Sequence, residues 1–389
     1  MWTRGSGQPR PEVPILSLGP LALECGGALP DVRIAYESWG TPAPDRSNAV
    51  LVLHALTGDS HVVGPADPDH PTPGWWDGLI GPGRAVDTDR WWVVAPNVLG
   101  GCRGSTGPSS AAPDGRPWGS RWPRVSVRDQ VAAELAFADA LRVPAWAAVL
   151  GGSMGGMRAV EWAVSAPSRV ERLLLLATTA AASAEQIAWA SPQLHAIRAD
   201  PGWAGGDYHP GPGPVAGLGI ARRIAHVTYR SEVELATRFG RTRQDADRFA
   251  VESYLDHHAA KLVRRFDAGS YVTLTESMNG HDVGRGRGGV ADALRRITAR
   301  TMVAGVDSDR LYPLAQQREL AAHIAGAGDV RVIRSPYGHD GFLIEVEQVA
   351  AIVTDLLAAP TQPAVVPGPA TAGRLDGAGD GSRRRGART

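Results

Sequence analysis

The chain has almost no lysine and no formal net charge. The charge balance limits the classes of protein to which the chain can belong. Lys261 is the single lysine among 40 basic residues, so arginine carries nearly all of the positive charge, a bias that we attribute to a GC-rich genome. The 40 basic residues are balanced by 40 acidic ones, which gives a formal net charge of zero at pH 7. A nucleic-acid-binding protein needs a basic face to neutralise phosphates. This composition argues against that class.

Cysteines and long apolar runs are also scarce. Cys25 and Cys102 are the only cysteines, too few for a disulfide framework. Residues 1–14 lack the apolar segment of a signal peptide. The longest apolar stretch, 173–184, is too short and too interrupted by threonine to span a bilayer. These features predict a reduced, soluble, cytoplasmic protein.

Short apolar runs alternate with amphipathic stretches towards both ends of the chain. The amphipathic stretches predict helices over 126–141, 154–166, 313–325 and 341–357. The apolar runs predict strands over 48–54, 91–97, 145–150, 170–177, 301–306 and 330–333. This alternation indicates an α/β fold, with a mostly parallel sheet and helices on both faces.

The middle of the chain follows a different pattern. Residues 181–298 are mostly helical and amphipathic, and within them only 271–275 reads as a strand. We therefore expect a core formed by 12–180 and 299–358, with 181–298 inserted as a helical lid. The remaining residues, 359–389, are rich in Pro, Gly, Ala and Arg without periodicity, which predicts a disordered tail.

A serine between two glycines lies where the predicted strand 145–150 meets the predicted helix 154–166. The motif is Gly151-x-Ser153-x-Gly155, the pattern of a nucleophile elbow. Such a turn is so sharp that neighbours with a Cβ would collide, and it exposes the serine Oγ at a helix N-terminus. The alternative is a plain tight turn with an incidental serine. The strand before and the helix after favour a nucleophile.

A serine nucleophile needs a base and an acid that orients the base. On such a fold these follow in the order serine, acid, histidine, each in a loop after a strand. Of the eleven histidines, only His339 follows the last predicted strand. The strand 301–306 is followed by Asp307 and Asp309, and either could be the acid.

The oxyanion hole of this arrangement uses two backbone N–H groups. Met154, directly after the serine, is one predicted donor, and Leu56, in the loop after the strand 48–54, is the other. His54, Asp59 and His61 lie around the same loop, but no metal-ligand set recurs elsewhere in the chain. We therefore predict no metal site.

Five motifs in this order resemble one family, the homoserine O-acetyltransferases of methionine biosynthesis. The run from 97 to 108 is the most specific of them, whereas the elbow is shared by many hydrolases. The resemblance spans residues 12–358. The motifs are His-Ala-Leu-Thr-Gly-Asp at 54–59, Asn-Val-Leu-Gly-Gly-Cys-Arg-Gly-Ser-Thr-Gly-Pro at 97–108, Gly-Gly-Ser-Met-Gly-Gly at 151–156, Asp-Ser-Asp-Arg-Leu-Tyr-Pro at 307–313 and Gly-His-Asp-Gly-Phe at 338–342.

The resemblance implies an α/β-hydrolase core, a helical lid that also forms a homodimer interface, and Ser-Asp-His catalysis with acetyl-CoA as co-substrate and no other cofactor. It also implies that Asp309 is the acid. In the lid it points to Arg222 as the ligand of the homoserine carboxylate and to Tyr229 beside it, although Arg223 remains an alternative. Asp340 would bind the substrate ammonium, since a carboxylate suits a cation.

The resemblance thus predicts a ping-pong transfer of acetyl from acetyl-CoA to the hydroxyl of L-homoserine. Relatives that use succinyl-CoA as donor or serine as acceptor share this machinery and stay open. A serine esterase would use the same three residues with water as acceptor, and Arg222 and Asp340 argue against it. A catalytically inactive binding module is the third reading, and the filled Ser153, Asp309 and His339 positions disfavour it.

Overall fold

An eight-stranded sheet forms the centre of the protein in the computed structural model, which describes residues 13–66, 70 and 72–358. The strands are β1 (Ile15–Ala22), β2 (Ala28–Trp39), β3 (Ala49–Leu53), β4 (Ile80–Gly81), β5 (Val86–Asp87), β6 (Trp92–Pro96), β7 (Ala148–Gly152), β8 (Arg172–Leu176), β9 (Arg300–Val306) and β10 (Arg331–Ile333). Within the main sheet the order is β1-β2-β6-β3-β7-β8-β9-β10, while β4 and β5 form a separate parallel pair.

The six strands from β6 to β10 in this order run parallel, which confirms the predicted sheet. β1 and β2 add an antiparallel edge that the sequence analysis missed. Both of these strands are partly exposed, so they lack the continuous apolar run that marks a strand buried on both faces.

Helices cover both faces of the sheet, as predicted. They are α1 (Val127–Ala140), α2 (Met154–Ser165), α3 (Ala184–Ala199), α4 (Val215–Tyr229), α5 (Glu232–Phe239), α6 (Ala250–Val263), α7 (Ala268–Asn279), α8 (Val290–Leu294), α9 (Leu314–His323), α10 (Gly341–Ile344) and α11 (Val346–Ala358). The six helices from α3 to α8 lie between the neighbouring strands β8 and β9.

Alternate side chains of the buried strands feed two separate cores. In β3, Leu51 and Leu53 pack with residues of α1 and α2 on one face. Val50 and Val52 pack with residues of α11 on the other face. Because successive side chains of a strand point in opposite directions, a strand that is apolar throughout requires both faces to be covered.

The predicted strand at 271–275 is wrong, because these residues lie within helix α7. The Asp267 side chain accepts a hydrogen bond from the Ser270 amide at 2.7 Å and so caps the helix N-terminus. Tyr271 and Leu274 are fully buried in a cluster with residues of α3, α4 and α6. The alternation of aromatic and β-branched residues favours a strand locally, and packing within the lid overrides it.

Two other predictions concern the end of the chain. The single helix expected over 341–357 is interrupted at Glu345, which separates α10 from α11. The predicted tail, 359–389, and residue 12 lie outside the described residues. Among the residues that the structure describes, no helix combines the length and apolarity needed to cross a membrane.

Candidate active site

Ser153 occupies a strained turn between β7 and α2. Its backbone has φ 56° and ψ −124°, a region that residues with a Cβ rarely adopt. A Cβ on Gly151 would lie 2.3 Å from the Gly155 carbonyl oxygen, and one on Gly155 would lie 2.0 Å from the Leu53 carbonyl oxygen. Both glycines are therefore required sterically, as the elbow motif predicts.

Ser153, His339 and Asp309 form a continuous buried chain of hydrogen bonds. The Ser153 Oγ lies 2.9 Å from His339 Nε2, and His339 Nδ1 lies 2.6 Å from Asp309 Oδ2. The other Asp309 oxygen accepts hydrogen bonds from the Leu311 and Tyr312 amides, both at 2.9 Å. Both ring nitrogens of His339 and both carboxylate oxygens of Asp309 are therefore held by hydrogen bonds, which fixes the orientation of the two side chains.

Asp307, the other aspartate that the sequence left open as the acid, is not the hydrogen-bond partner of the histidine. Its Oδ1 accepts a hydrogen bond from the Ser335 amide at 3.0 Å, so it joins the ends of β9 and β10. Ser308 reinforces this link, since its Oγ donates to the Ser335 carbonyl at 2.5 Å and accepts from the Gly338 amide at 3.0 Å. These contacts hold the acid loop against the histidine loop.

The Leu56 and Met154 amides, predicted to form an oxyanion hole, have no hydrogen-bond acceptor among the described residues. Met154 begins α2 beside Ser153, and Leu56 lines the same cavity as Ser153. A helix N-terminus and a free amide are both suited to an anionic oxygen.

A buried ion pair positions the loop that carries Leu56. Arg158 of α2 donates to the His54 carbonyl at 2.8 Å and to Glu134 of α1 at 2.5 Å, and Trp162 donates to the same carboxylate at 2.7 Å. The His54 ring donates through Nδ1 to the Ala55 carbonyl and accepts the Val98 amide at Nε2.

Burial and the charge of Arg158 lower the pKa of His54 to about 3. His54 is therefore a neutral anchor of this loop, with both ring nitrogens already bonded. This leaves His339 to face the serine.

The cavity in front of Ser153 has a volume of about 230 Å³ and is lined by Arg222, Tyr229 and Asp340, the three predicted substrate ligands. Arg222 lies over the Tyr229 ring at 5.4 Å, and its Nε and Nη1 are buried without a hydrogen-bond partner among the described residues. Arg223 instead donates to Asp256 at 2.6 Å and does not line this cavity. The structure therefore places Arg222, not its neighbour, at the site.

Asp340 directly follows His339 in the chain, and its Oδ2 lies 3.3 Å from Nη2 of Arg230. Burial raises the pKa of this carboxyl, while the charges of Arg230, His339 and Arg222 oppose the rise. The cavity thus combines a guanidinium with no carboxylate partner and a partly neutralised carboxylate. That pair of charges matches the two ends of a free amino acid.

Tyr312 is a further residue of the site that the sequence analysis did not single out. Its ring stacks on His339 with the ring centroids 4.8 Å apart, and its amide donates to Asp309. Burial raises the pKa of this phenol, so it stays protonated. Its place in the acid-loop motif at 307–313 was the available signal, but the motif does not show that its ring turns back onto the histidine.

The three residues considered for a metal, His54, Asp59 and His61, do not converge. His61 instead stacks on His70 at 4.2 Å and lies 3.2 Å from Glu37 through Nδ1. Among the described residues, Glu37, His61 and His70 form the one group whose ligand atoms all lie within 4.8 Å of one another. A hydrogen bond and ring stacking account for their arrangement.

Comparisons with known proteins identify the fold and the family of the chain. A family model described as alpha/beta hydrolase fold matches residues 48–346. The homoserine O-acetyltransferase of Thermobifida fusca (strain YX) is 71% identical over 347 residues, which cover 87% of this chain and 92% of the relative.

Two solved structures share the fold. Homoserine O-acetyltransferase from Bacillus anthracis matches with a TM-score of 0.83 and 26% identity, over 90% of this chain and 98% of that one. An acetylester hydrolase from Corynebacterium glutamicum matches with a TM-score of 0.78 and 27% identity, over 89% of this chain and 96% of that one.

The sheet, the strained elbow and the hydrogen-bonded serine, histidine and aspartate define an enzyme of the alpha/beta hydrolase fold class. Within that class the identity to the T. fusca relative extends over most of both chains. The chain belongs to the homoserine O-acetyltransferase family.

The environment of His339 predicts how its imidazole titrates. Burial lowers its pKa, but the charge and hydrogen bond of Asp309 outweigh burial, and the net pKa lies above the ordinary value of 6.5. The contribution of the His339–Asp309 pair to the stability of the folded state is therefore present in full below the unfolded-state pKa of about 6.5. It is lost as pH rises through the higher folded pKa.

We expect Asp309→Asn to lower the pKa of His339, and Asp307→Asn, the control, to leave it unchanged. NMR titration of the His339 ring in the wild type and in both variants measures this pKa directly. Titration of the wild-type ring at or below its ordinary value would contradict the assignment of Asp309.

Proposed function

We propose that this protein transfers the acetyl group of acetyl-CoA to the hydroxyl of L-homoserine, giving O-acetyl-L-homoserine and CoA as a step of methionine biosynthesis. The observation that carries the proposal is the unpaired Arg222 guanidinium facing the same cavity as Ser153 and Asp340. An esterase does not need a guanidinium and a carboxylate beside its nucleophile to bind the two charged ends of an amino acid. The family of the chain supports the same reading.

In the first half-reaction His339, oriented by Asp309, takes the proton of Ser153, whose Oγ attacks the thioester carbonyl carbon. The Leu56 and Met154 amides stabilise the negative charge on the carbonyl oxygen. As the tetrahedral intermediate collapses, the C–S bond breaks, and CoA leaves with the proton held by His339. The products are acetyl-Ser153 and free CoA.

In the second half-reaction homoserine occupies the cavity, with its carboxylate on Arg222 beside Tyr229 and its ammonium on Asp340. His339 takes the proton of the substrate hydroxyl, which attacks the acetyl carbon. The intermediate then expels Ser153, and His339 returns the proton to its Oγ. Binding both charged ends holds the hydroxyl at a high effective concentration, which is how the acceptor can compete with water.

The proposed chemistry uses acetyl-CoA as a co-substrate and requires no further cofactor. The serine, the histidine and two amides supply nucleophile, base and oxyanion stabilisation. We expect EDTA to leave the activity intact, and loss of activity would direct attention to Glu37, His61 and His70. We also infer a cytoplasmic location from the two free cysteines and from acetyl-CoA as the donor, which cell fractionation tests.

The function is tested by CoA release from acetyl-CoA and succinyl-CoA, each with homoserine, with serine and without an acceptor. We expect fast release only from acetyl-CoA with homoserine. Ser153→Ala should reduce it by several orders of magnitude, and mass spectrometry should detect acetylated Ser153 in the wild type when homoserine is omitted. Release that needs no acceptor would identify an esterase, and preference for succinyl-CoA or serine would identify a sister activity.

Arg222 and Arg223 form a matched pair for testing the acceptor site. Arg222→Gln removes the cation that binds the substrate carboxylate, so we expect kcat/KM for homoserine to fall roughly 100-fold. Arg223→Gln breaks only the ion pair with Asp256 and should leave kcat/KM close to wild type. Steady-state kinetics at varied homoserine measures both. Equal losses in the two variants would refute the assignment of Arg222.

We further propose that two copies associate through the lid. Five large apolar side chains on three lid helices are exposed to solvent: Ile187 and Trp189 on α3, Val215 and Ile220 on α4, and Val233 on α5. Exposed apolar surface of this kind marks protein interfaces. The family resemblance names a second copy of the chain as the occupant.

A charge placed on this surface should separate the two copies. We expect Ile220→Asp to shift the protein from dimer to monomer in light scattering coupled to size-exclusion chromatography. Ile15→Asp, at an exposed apolar position outside the lid, serves as the control and should remain dimeric. A wild-type protein that is monomeric at all concentrations would rule out the dimer.

A further inference from the structure

A second cavity, of about 200 Å³, adjoins the one that contains Ser153. It lies under the lid, between α4, α6 and the histidine loop. Four residues line both cavities: Thr72, Arg222, Arg265 and Asp340. A ligand seated in the second cavity can therefore extend towards the serine.

The lining of this second cavity carries an excess of positive charge. Its cations are Arg222, Arg230, Lys261 and Arg265, and Asp340 is the one acid among its lining residues. Arg230 and Asp340 pair at 3.3 Å, which leaves three cations without a partner acid in the lining. The charge of Asp59 acts on Arg265 from outside the lining. The sum of the charges around the second cavity remains positive.

Several buried side-chain nitrogens of this lining have no hydrogen-bond partner among the described residues. They are Arg222 Nε and Nη1, Arg230 Nε and His226 Nδ1. Buried polar atoms are nearly always bonded, so such a group of atoms around one cavity indicates a site for acceptor atoms. Negatively charged oxygens satisfy both the hydrogen bonds and the charge.

Two histidines of the lining carry no charge of their own. His226 and His258 stack at 3.9 Å. Burial first, and then neighbouring cations that include Arg222 and Arg230, lower the pKa of His226 to about 2 and that of His258 to about 4. The pKa of Lys261 is lowered as well, by burial and by Arg265 and Arg222. Burial is the largest cause of all three pKa shifts, and the neighbouring positive charges add to it.

We propose that this cavity binds phosphate groups of the acetyl-CoA donor, with Lys261 and Arg265 as principal ligands. The inference rests on the proposed function. The donor must place its thioester at Ser153 and its phosphates at a distance from it, and the second cavity offers cations next to the first. Lys261 presents a compact charge with three donors, which suits a phosphate. In a ping-pong sequence CoA leaves before homoserine enters, so Arg222 can serve both ligands in turn.

Lys261→Gln tests the site, since Lys261 has no other role in the mechanism. Donors of decreasing phosphate content are compared: acetyl-CoA, acetyl-dephospho-CoA and S-acetylpantetheine. For the variant we expect a roughly tenfold higher KM for acetyl-CoA and an unchanged KM for S-acetylpantetheine and for homoserine. If the effect persists with acetyl-dephospho-CoA, the diphosphate is the group bound, and if it vanishes, the 3′-phosphate is.

Arg264→Gln is the matched control, because Arg264 is exposed, lies three residues away and does not line the cavity. It removes the same charge and should leave every KM unchanged. Equal effects of Lys261→Gln on acetyl-CoA and S-acetylpantetheine would overturn the proposal, since they would reflect structure and not phosphate binding.

The wild-type protein alone provides a second test that does not depend on a variant folding. Calorimetric titration should show CoA binding more tightly than pantetheine, with the difference shrinking as salt increases. Equal affinities would overturn the proposal. Inorganic phosphate should compete with acetyl-CoA, and less strongly in Lys261→Gln. If the variant loses phosphate inhibition but keeps the wild-type KM for acetyl-CoA, the cavity is a site for free anions and the donor assignment fails.

The failure of this proposal differs from failure of the proposed function. Wild-type protein that releases thiol from no donor in the presence of homoserine would refute the acetyltransferase itself. Normal homoserine-dependent release with no preference for phosphate-bearing donors would refute only the phosphate site.

Discussion

The close approach of helix α2 to strand β3 is the constraint on which the site depends. A Cβ on Gly155 would lie 2.0 Å from the Leu53 carbonyl oxygen, so no other residue type allows this contact. The contact forces Ser153 into a left-handed backbone conformation. It also brings the N-terminal turn of α2 against the end of β3 and the His54 carbonyl, at the start of the loop that carries Leu56. The strain at the serine is offset by packing of the sheet and helices on either side.

Two arginines differ in their hydrogen-bond partners, and this difference distinguishes a structural role from a ligand-binding role. Arg158 is fully buried and has both Glu134 and the His54 carbonyl as acceptors, so it joins α1, α2 and the loop after β3. Arg222 is directed into a cavity where no carboxylate pairs with it. Removing water from a guanidinium is costly, and the cost persists until an anion arrives. An arginine held in this state is available to bind an anionic ligand.

Some elements were predictable because their signal is local, and others were not. The central parallel strands are apolar throughout, because both faces are buried. β1 and β2 at the antiparallel edge carry polar residues and were missed. Residues 271–275 have the composition of a strand and form part of α7, because Tyr271 and Leu274 pack into the lid as one face of a helix. Here contacts distant in sequence outweigh local preference.

The sequence by itself determined the order of the site's parts. The serine turn, the acid loop and the histidine loop each follow a strand, and parallel strands bring their carboxyl ends to one edge of the sheet. Only the tertiary structure decided which member of each pair faces the site. Asp309 reaches His339 whereas Asp307 ties two loops, and Arg222 enters the cavity whereas Arg223 pairs with Asp256. The stacking of Tyr312 on His339 and the positive second cavity also arise only there, because both join side chains from distant segments whose directions depend on how the lid packs on the sheet.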